Sequence, residues 1–226
     1  MAYIADGMIS FANQSYLFDD IFSTVFWDIR NNSGGASSSG FTTSAANPGQ
    51  TFVTVQNSGD VGNANYNSDG QSQINSPNFI FGGGAFTWIG YYNLSTLATG
   101  TDNFQWWIGV HDGWEFSGPS NGAYFLYDLS ISPNWQFVSN NAGTATTNTS
   151  STPVATGWHK FIIQFTLTSI TYFVDGVNLG TITTNLPGNN VCNISANKIL
   201  KNLGSTLAVT VGQDYFEFQQ QLTNHR

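Results

Sequence analysis

Hydrophobic and polar residues alternate most clearly in the stretch 157–180, GWHKFIIQFTLTSITYFVDGVNLG. A period of two places one set of mostly apolar side chains on a single face: His159, Phe161, Ile163, Phe165 and Leu167, continued after a turn by Tyr172 and Val174. This alternation predicts strands with one buried and one wetter face. Asp175-Gly176 then predicts a two-residue hairpin turn, because Asp-Gly readily adopts the positive φ angles that such turns require.

Similar strand patterns recur along the chain and are separated by turn signals. The predicted strands lie within 50–57, 79–81, 85–94, 104–112, 122–130, 134–140, 157–183, 194–203 and 206–222. No helical period persists long enough to indicate a core helix. The pattern therefore predicts an all-β fold, a sandwich or a barrel.

The remaining segments are less regular. The Gly-, Ser- and Asn-rich stretches 31–49 and 58–77 predict surface loops. The stretch 144–153, TATTNTSSTP, fits either a linker or a threonine-rich edge strand. Within residues 1–30, Ile21, Val25 and Phe26 fit either a short helix or two β turns. We expect 1–30 to be an N-terminal arm or the first strands, and 31–226 to be one β-sandwich domain.

Composition excludes several classes of function. The 226 residues are 40% hydrophobic and 15% aromatic but only 8% charged, a balance opposite to that of disordered chains. The net charge is -8, and the five basic residues are scattered. No basic patch is available to neutralise phosphates, so we expect neither nucleic-acid binding nor binding to an anionic membrane surface.

Cellular location is constrained by what the sequence lacks. Residues 1–20 have no basic n-region and no long apolar run, so we expect no signal peptide. No apolar stretch is long enough to span a bilayer. Cys192 is the single cysteine, which excludes an internal disulfide. Synthesis in a reducing cytoplasm is expected, either for an ordinary cytosolic protein or for a virus particle released by lysis.

Five short motifs recur as a set in one known kind of domain: Gly157-Trp158-His159, Tyr172-Phe173-Val174-Asp175-Gly176, Thr184-Asn185-Leu186-Pro187, Lys201-Asn202-Leu203-Gly204 and Asp214-Tyr215. Together they resemble the motifs of concanavalin A-like lectin/glucanase (laminin G-like) jelly rolls, of the type found in phage tail and capsid-associated proteins. The resemblance spans most of the chain. It implies two packed, curved antiparallel sheets with a concave face, and a role in glycan binding or as a part of a virion.

Enzymes of that superfamily cleave glycans with a Glu-x-Asp-x-x-Glu arrangement, because one carboxylate serves as nucleophile and another as acid/base. This chain has only two glutamates, Glu115 and Glu217, and neither lies in such a motif. Asp112 and Glu115 form the one acidic cluster among aromatic residues. Because the Glu-x-Asp-x-x-Glu arrangement is missing, we expect no catalysis. Calcium, held beside the sugar in legume lectins, stays an option through Asp102-Asn103, Asp112 and Asp128.

Aromatic residues concentrate in the middle third of the chain, where most are expected to fill the core. Trp106 and Trp107 are adjacent in a predicted strand and must point to opposite faces, so at least one lies outside the core. An exposed aromatic ring can stack on the C–H face of a sugar. The candidate ligand-binding residues are Tyr91, Trp106, Trp107, His111, Asp112 and Trp114.

Three functions compete. The first is a non-enzymatic virion protein, capsid-decorating or tail-associated, that assembles with itself as a homo-oligomer and with other virion proteins. It either adheres to host-surface glycans or only stabilises the particle. The second is a free carbohydrate-binding lectin. The third, a glycan-cleaving depolymerase, is disfavoured by the missing carboxylate motif.

Overall fold

The structure, a computed structural model, describes residues 4–5, 8–11, 14–19, 27–32, 38–42, 50–56, 60–66, 79–113, 118–189, 191–201 and 207–221. Strands dominate these ranges, and no helix occurs in them. The strands are β1 (Ile4–Ala5), β2 (Met8–Phe11), β3 (Gln14–Asp19), β4 (Trp27–Asn32), β5 (Ser38–Thr42), β6 (Gln50–Val55), β7 (Val61–Tyr66), β8 (Phe79–Ile80), β9 (Phe86–Leu94), β10 (Phe104–His111), β11 (Gly122–Asp128), β12 (Asn134–Asn141), β13 (Thr144–Pro153), β14 (Gly157–Phe165), β15 (Ile170–Val174), β16 (Val177–Ile182), β17 (Val191–Lys201) and β18 (Val209–Gln221).

The strands form two antiparallel sheets. The ten-stranded sheet runs β1-β2-β3-β18-β9-β14-β15-β16, with β6 also pairing β18 and β5 pairing β6. The eight-stranded sheet runs β13-β12-β11-β10-β17-β7-β4, with β8 pairing the start of β17. Inward residues of both sheets share one hydrophobic core. The predicted two-sheet antiparallel β-sandwich of the jelly-roll type is therefore confirmed.

Two segments predicted as loops contain strands instead. β5 lies within 31–49 and pairs β6, while β7 lies within 58–77 and pairs both β17 and β4. Of residues 1–30, those that the structure describes form β1, β2, β3 and most of β4. Ile21, Val25 and Phe26, which fit a short helix or two β turns, lie outside the described residues. Gly, Ser and Asn weaken a strand signal, but antiparallel pairing of backbone groups with a neighbouring strand does not require apolar side chains.

The hairpin region follows its pattern closely. β14 to β16 are consecutive antiparallel strands, and Tyr172 and Val174 face the core as predicted. Asp175 and Gly176 have φ angles of 51° and 81°, which are the positive values that the two-residue turn requires. The prediction for Leu167 was wrong: β14 ends at Phe165, and Leu167 lies in the following turn with 57% of its surface exposed.

Large rings fill the space between the sheets. Trp88, Trp106 and Trp135 are fully buried, and Phe161 packs edge-on against both Trp106 and Trp135. The Tyr172 hydroxyl donates a hydrogen bond of 2.6 Å to the Val138 carbonyl, which joins β15 of one sheet to β12 of the other. Such a bond satisfies the one polar atom that the buried ring carries.

The threonine-rich segment 144–153 is an edge strand, not a linker. It forms β13 at the end of the eight-stranded sheet, paired with β12 alone, and most of its residues are exposed. In the ranges that the structure describes, no helix has the length and apolar character that crossing a membrane would take.

Candidate functional site

Trp106 and Trp107 point to opposite sides of β10, as predicted. Trp106 is completely buried in the inter-sheet core. Trp107 belongs to a second cluster with Tyr124, Leu126 and Val138, on the outer face of the eight-stranded sheet, the face turned away from the other sheet. Only 5% of the Trp107 surface is exposed. Neither ring is therefore available as an open stacking platform in this conformation.

His111 and Asp112 lie where β10 passes into a loop. His111 is buried, and its Nδ1 accepts a hydrogen bond of 3.0 Å from the Gly113 backbone N–H. The Asp112 carboxylate accepts bonds from the backbone N–H groups of Ser120 and Asn121, at 2.8 and 2.9 Å, and from the Asn121 side-chain amide at 2.6 Å. Asp112 thus closes the loop 112–121 on itself, a structural use of the carboxylate.

Trp114 and Glu115 lie outside the described residues, so the structure gives no geometry for the aromatic candidate or for the Asp112–Glu115 pair. Among the described residues, Tyr124 packs edge-on against His111 at 5.6 Å between ring centroids. Burial raises the pKa of Tyr124 to about 12. Its hydroxyl therefore stays neutral over the physiological range.

The carboxylates considered for calcium lie in separate parts of the fold: Asp128 ends β11, and Asp102 lies in the loop before β10. Asp128 accepts bonds from the Gln105 amide at 2.6 Å and from the Ser130 hydroxyl at 2.6 Å. Asp102 accepts a bond of 3.4 Å from the Leu207 backbone N–H. Where the structure describes the chain, no group of three or more His, Cys, Asp or Glu side chains is placed to hold a metal ion.

Unlike Trp106 and Trp107, Tyr91 is partly exposed. It lies on the outer face of the ten-stranded sheet, where it contacts two other aromatic rings. On one side it stacks on Trp158 of β14, with centroids 5.5 Å apart and planes inclined by 10°. On the other side it stacks on Tyr215 of β18, at 5.8 Å and 16°. All three side chains are partly exposed. We call this set of three rings, carried by three neighbouring strands, the aromatic ladder.

A groove lies beside the ladder. Antiparallel register aligns Phe52 with Gly212, Gly212 with Asn93, and Asn93 with Trp158, so these four residues form one row across β6, β18, β9 and β14. A Cβ at Gly212 would lie 3.6 Å from the Trp158 ring and 3.6 Å from the Asn93 Cβ. The missing side chain therefore leaves a trough between Phe52 and Trp158. This Trp158 groove has a volume of about 410 Å³.

One end of the Trp158 groove is polar. Thr54 and Thr210 share a hydrogen bond of 2.8 Å between their hydroxyls, and the Ser95 hydroxyl accepts a bond of 2.9 Å from the Thr210 backbone N–H. Gln50 also lines the groove. Hydroxyl and amide groups both donate and accept hydrogen bonds. Trp158 offers a flat aromatic face beside these hydroxyl and amide groups. Such a groove suits a small neutral ligand that is apolar on one side and rich in hydroxyls on its edge.

The sequence pointed to Tyr91 but missed its neighbours. Trp158 was read only as part of a structural motif, and Phe52 and Gly212 as ordinary strand residues. The outward phase of Trp158 was nevertheless visible, because it precedes His159 in a strand whose inward set begins at His159. The row that joins the four residues depends on which strands pair, and no local pattern reports that.

Comparison with known proteins supports the fold alone. No protein-family model matches the sequence, and no curated protein is significantly similar to it in sequence. Among solved structures, the CBM2 module of Lactobacillus casei BL23 phage J-1 evolved Dit aligns with a TM-score of 0.56 and 10% identity, over 95% of this chain and 99% of that one. Bacillus licheniformis β-glucanase aligns with a TM-score of 0.52 and 12% identity, over 90% and 97% of the two chains.

The binding domain of botulinum neurotoxin DC, in complex with rat synaptotagmin II, aligns with a TM-score of 0.53 and 10% identity over 89% of this chain. This chain spans only 45% of that neurotoxin chain. All three are concanavalin A-like jelly rolls, and the present chain has the same fold. The predicted fold resemblance is therefore confirmed, with a binding module, an enzyme and a phage module among the neighbours.

Proposed function

We propose that this protein is a non-enzymatic, glycan-binding subunit of a virus particle, and that it holds its ligand in the Trp158 groove. The observation that carries the proposal is the groove itself, where a partly exposed tryptophan faces a trough edged with hydroxyl and amide groups. Most of the aromatic side chains whose burial the structure describes lie in the core, so an outward stack of three rings calls for another role.

The structural neighbours support this proposal at a coarser level. They include the phage J-1 CBM2 module, whose alignment covers nearly all of both chains. They also include botulinum neurotoxin type C, whose cell entry depends on interaction with two ganglioside molecules. Assembly with further copies of this chain and with other virion proteins completes the proposal.

The described residues that line the groove include no carboxylate, which favours binding over cleavage. Its lining residues are Gln50, Thr51, Phe52, Thr54, Asn93, Ser95, Trp158, Thr210 and Gly212. Glycoside hydrolysis requires two carboxyl groups that flank the bond to be broken. The β-glucanase similarity therefore carries no proposal of catalysis at this site.

The test is a glycan array probed with the wild-type chain and with Trp158→Ala. We expect a set of glycans to bind the wild type and the signal to fall by about tenfold or more in the variant, because the stacking surface is removed. Trp107→Phe is the matched control, since that ring lies on the other sheet. An empty array, or binding that Trp158→Ala leaves unchanged, would refute the proposed site.

Two further measurements test the non-enzymatic role and the presence of the protein in a virus particle. Incubation of each bound glycan with the protein should produce no new reducing ends, and their appearance would contradict the non-enzymatic role. Mass spectrometry of purified particles of the virus that encodes the chain should detect it at many copies per particle. Its absence from such particles would leave a free lectin.

A further inference from the structure

A second cleft opens on the same outer face of the ten-stranded sheet. Its volume is about 320 Å³, and it is lined by Ala85, Phe86, Thr87, Gln164, Phe165, Thr166, Gln219 and Gln221. The side chains of Gln164, Gln219 and Gln221 are exposed, and no other described residue makes a hydrogen bond to their amides. We call this the glutamine cleft. Each of these amides can donate and accept a hydrogen bond at once.

The two clefts lie along the same three strands. Thr87 of β9 sits between Gln164 of β14 and Gln219 of β18, just as Asn93 sits between Trp158 and Gly212 at the other end. Asn93 follows Thr87 by six positions in β9, which corresponds to roughly 20 Å at the rise of an extended strand. That distance is several times the width of one sugar ring.

The surface between the clefts carries aliphatic and aromatic side chains together with a few charged ones. Ile89 aligns with Ile162 on one side and with Glu217 on the other, and all three side chains are partly exposed. The next row holds Tyr91 of the aromatic ladder, opposite Lys160. The outward positions of β9, β14 and β18 therefore lead from the Trp158 groove, past Tyr91 and Ile89, to the glutamine cleft. We call this whole surface the outer strip.

Charge limits what the outer strip can hold. Lys160 is the single basic residue among the described outward positions of β9, β14 and β18, whereas Asp214 and Glu217 of β18 are both partly exposed. The chain as a whole carries a net charge of -8. An acidic polymer would meet repulsion along the strip, and a neutral one would not.

We propose that the Trp158 groove, the aromatic ladder and the glutamine cleft form one extended site for a linear, uncharged glycan chain, not for a single terminal sugar. This inference rests on the proposed glycan-binding function and specifies its ligand class. Sugar rings stack on the aromatic and aliphatic part of the strip, while their hydroxyls bond to the amides at one end and to the threonine and serine hydroxyls at the other.

The experiment is isothermal titration calorimetry with neutral, linear gluco-oligosaccharides and manno-oligosaccharides, each series running from the monosaccharide to the hexasaccharide. Wild type is compared with Trp158→Ala, with the double variant Gln164→Ala/Gln219→Ala, and with Asn148→Ala. The last variant removes an exposed amide from the edge strand β13 of the other sheet and serves as the control. An oligogalacturonate of matched length probes the role of charge.

We expect affinity in at least one neutral series to rise with chain length, and the oligogalacturonate to bind more weakly. The double glutamine variant should lose on the order of tenfold in affinity for the hexasaccharide, because two hydrogen bonds are removed, and should bind the disaccharide as the wild type does. Trp158→Ala should weaken both ligands. Asn148→Ala should change neither.

The experiment distinguishes failure of the extended site from failure of the proposed glycan-binding function. Binding that requires Trp158 but gains nothing with chain length, or that ignores the glutamines, would overturn the extended site and leave the proposed function intact. Tighter binding of the oligogalacturonate would overturn the neutral ligand class. Failure of every oligosaccharide to bind would overturn both proposals. Self-association that the double variant abolishes, without any change in sugar affinity, would identify the strip as a protein interface instead.

Discussion

Substitutions at Gly212 should change glycan affinity without lowering the stability of the fold. Gly212 lies in the floor of the Trp158 groove, and its φ angle is not in the left-handed region that favours glycine. A Cβ placed there would meet the Asn93 Cβ and the Trp158 ring at 3.6 Å and the Thr51 carbonyl oxygen at 3.8 Å. These are ordinary van der Waals distances, so Gly212→Ala should fit without strain.

The expected gain in stability for Gly212→Ala is about 0.4–1 kcal/mol, because alanine restricts the unfolded chain more than glycine does. Gly212→Val suits a strand equally well and carries its additional methyl groups into the groove. We therefore expect Gly212→Val to unfold at a denaturant concentration no lower than the wild type, yet to bind the glycan at least about tenfold more weakly. Tryptophan fluorescence in urea measures the first quantity and calorimetric titration the second.

Gly90 is the matched control, because it lies on the same sheet but faces the core. A Cβ at Gly90 would overlap the Tyr92 ring and approach the Trp88 ring to 2.6 Å. Gly90→Ala should cost about 1–3 kcal/mol of stability through overpacking. If Gly212→Val destabilised the protein as much as Gly90→Ala, the trough would not have the described shape. If it bound glycan normally, the groove would not be the site.

Three further predictions concern the hairpin, the thiol and pH. Asp175→Asn keeps the turn but weakens the 2.6 Å contact of the carboxylate with the His159 ring, and it should lower stability by about 1 kcal/mol; an unchanged urea midpoint would contradict this. Burial raises the pKa of the Cys192 thiol, so a thiol reagent at neutral pH should modify the protein only as fast as it unfolds, and rapid labelling of native protein would disprove it. Burial also raises the pKa of Tyr124 from 10.0 to about 12, so its contribution to stability is complete below pH 10 and lost as pH rises to about 12; urea titrations across that range should show the decline.

The sequence predicted the fold best where the side chains themselves carried the period. In β14 the inward positions His159, Phe161, Ile163 and Phe165 alternate strictly, and Asp175-Gly176 fixes the register of the following hairpin. β5 and β7 were missed because their Ser, Gly and Asn residues favour turns when read alone. Their strand conformation depends on backbone pairing with β6, β4 and β17, which the local sequence does not reveal.

The candidate site was predictable only in part for a related reason. Tyr91 could be selected as a ring near other aromatic residues, but Trp158 and Tyr215 reach it from strands far along the chain. Phase alone places at least one of Trp106 and Trp107 outside the core; the structure shows that it is Trp107, and that this ring is almost fully covered. Phase along a strand predicts which face a side chain occupies, whereas accessibility depends on what else covers that face.

The aromatic ladder itself results from an irregularity in β18. From Val209 to Gln213 every second residue faces the core, and continuation of that phase would bury Tyr215 and expose Phe216. The register with β9 shifts between Gln213 and Phe216, so that two residues of β18 oppose one of β9. Such a bulge resets the alternation. Phe216 is thereby buried, and Tyr215 stays on the outer face, where it stacks on Tyr91. The same single insertion thus keeps the core closed and completes the surface to which we assign glycan binding.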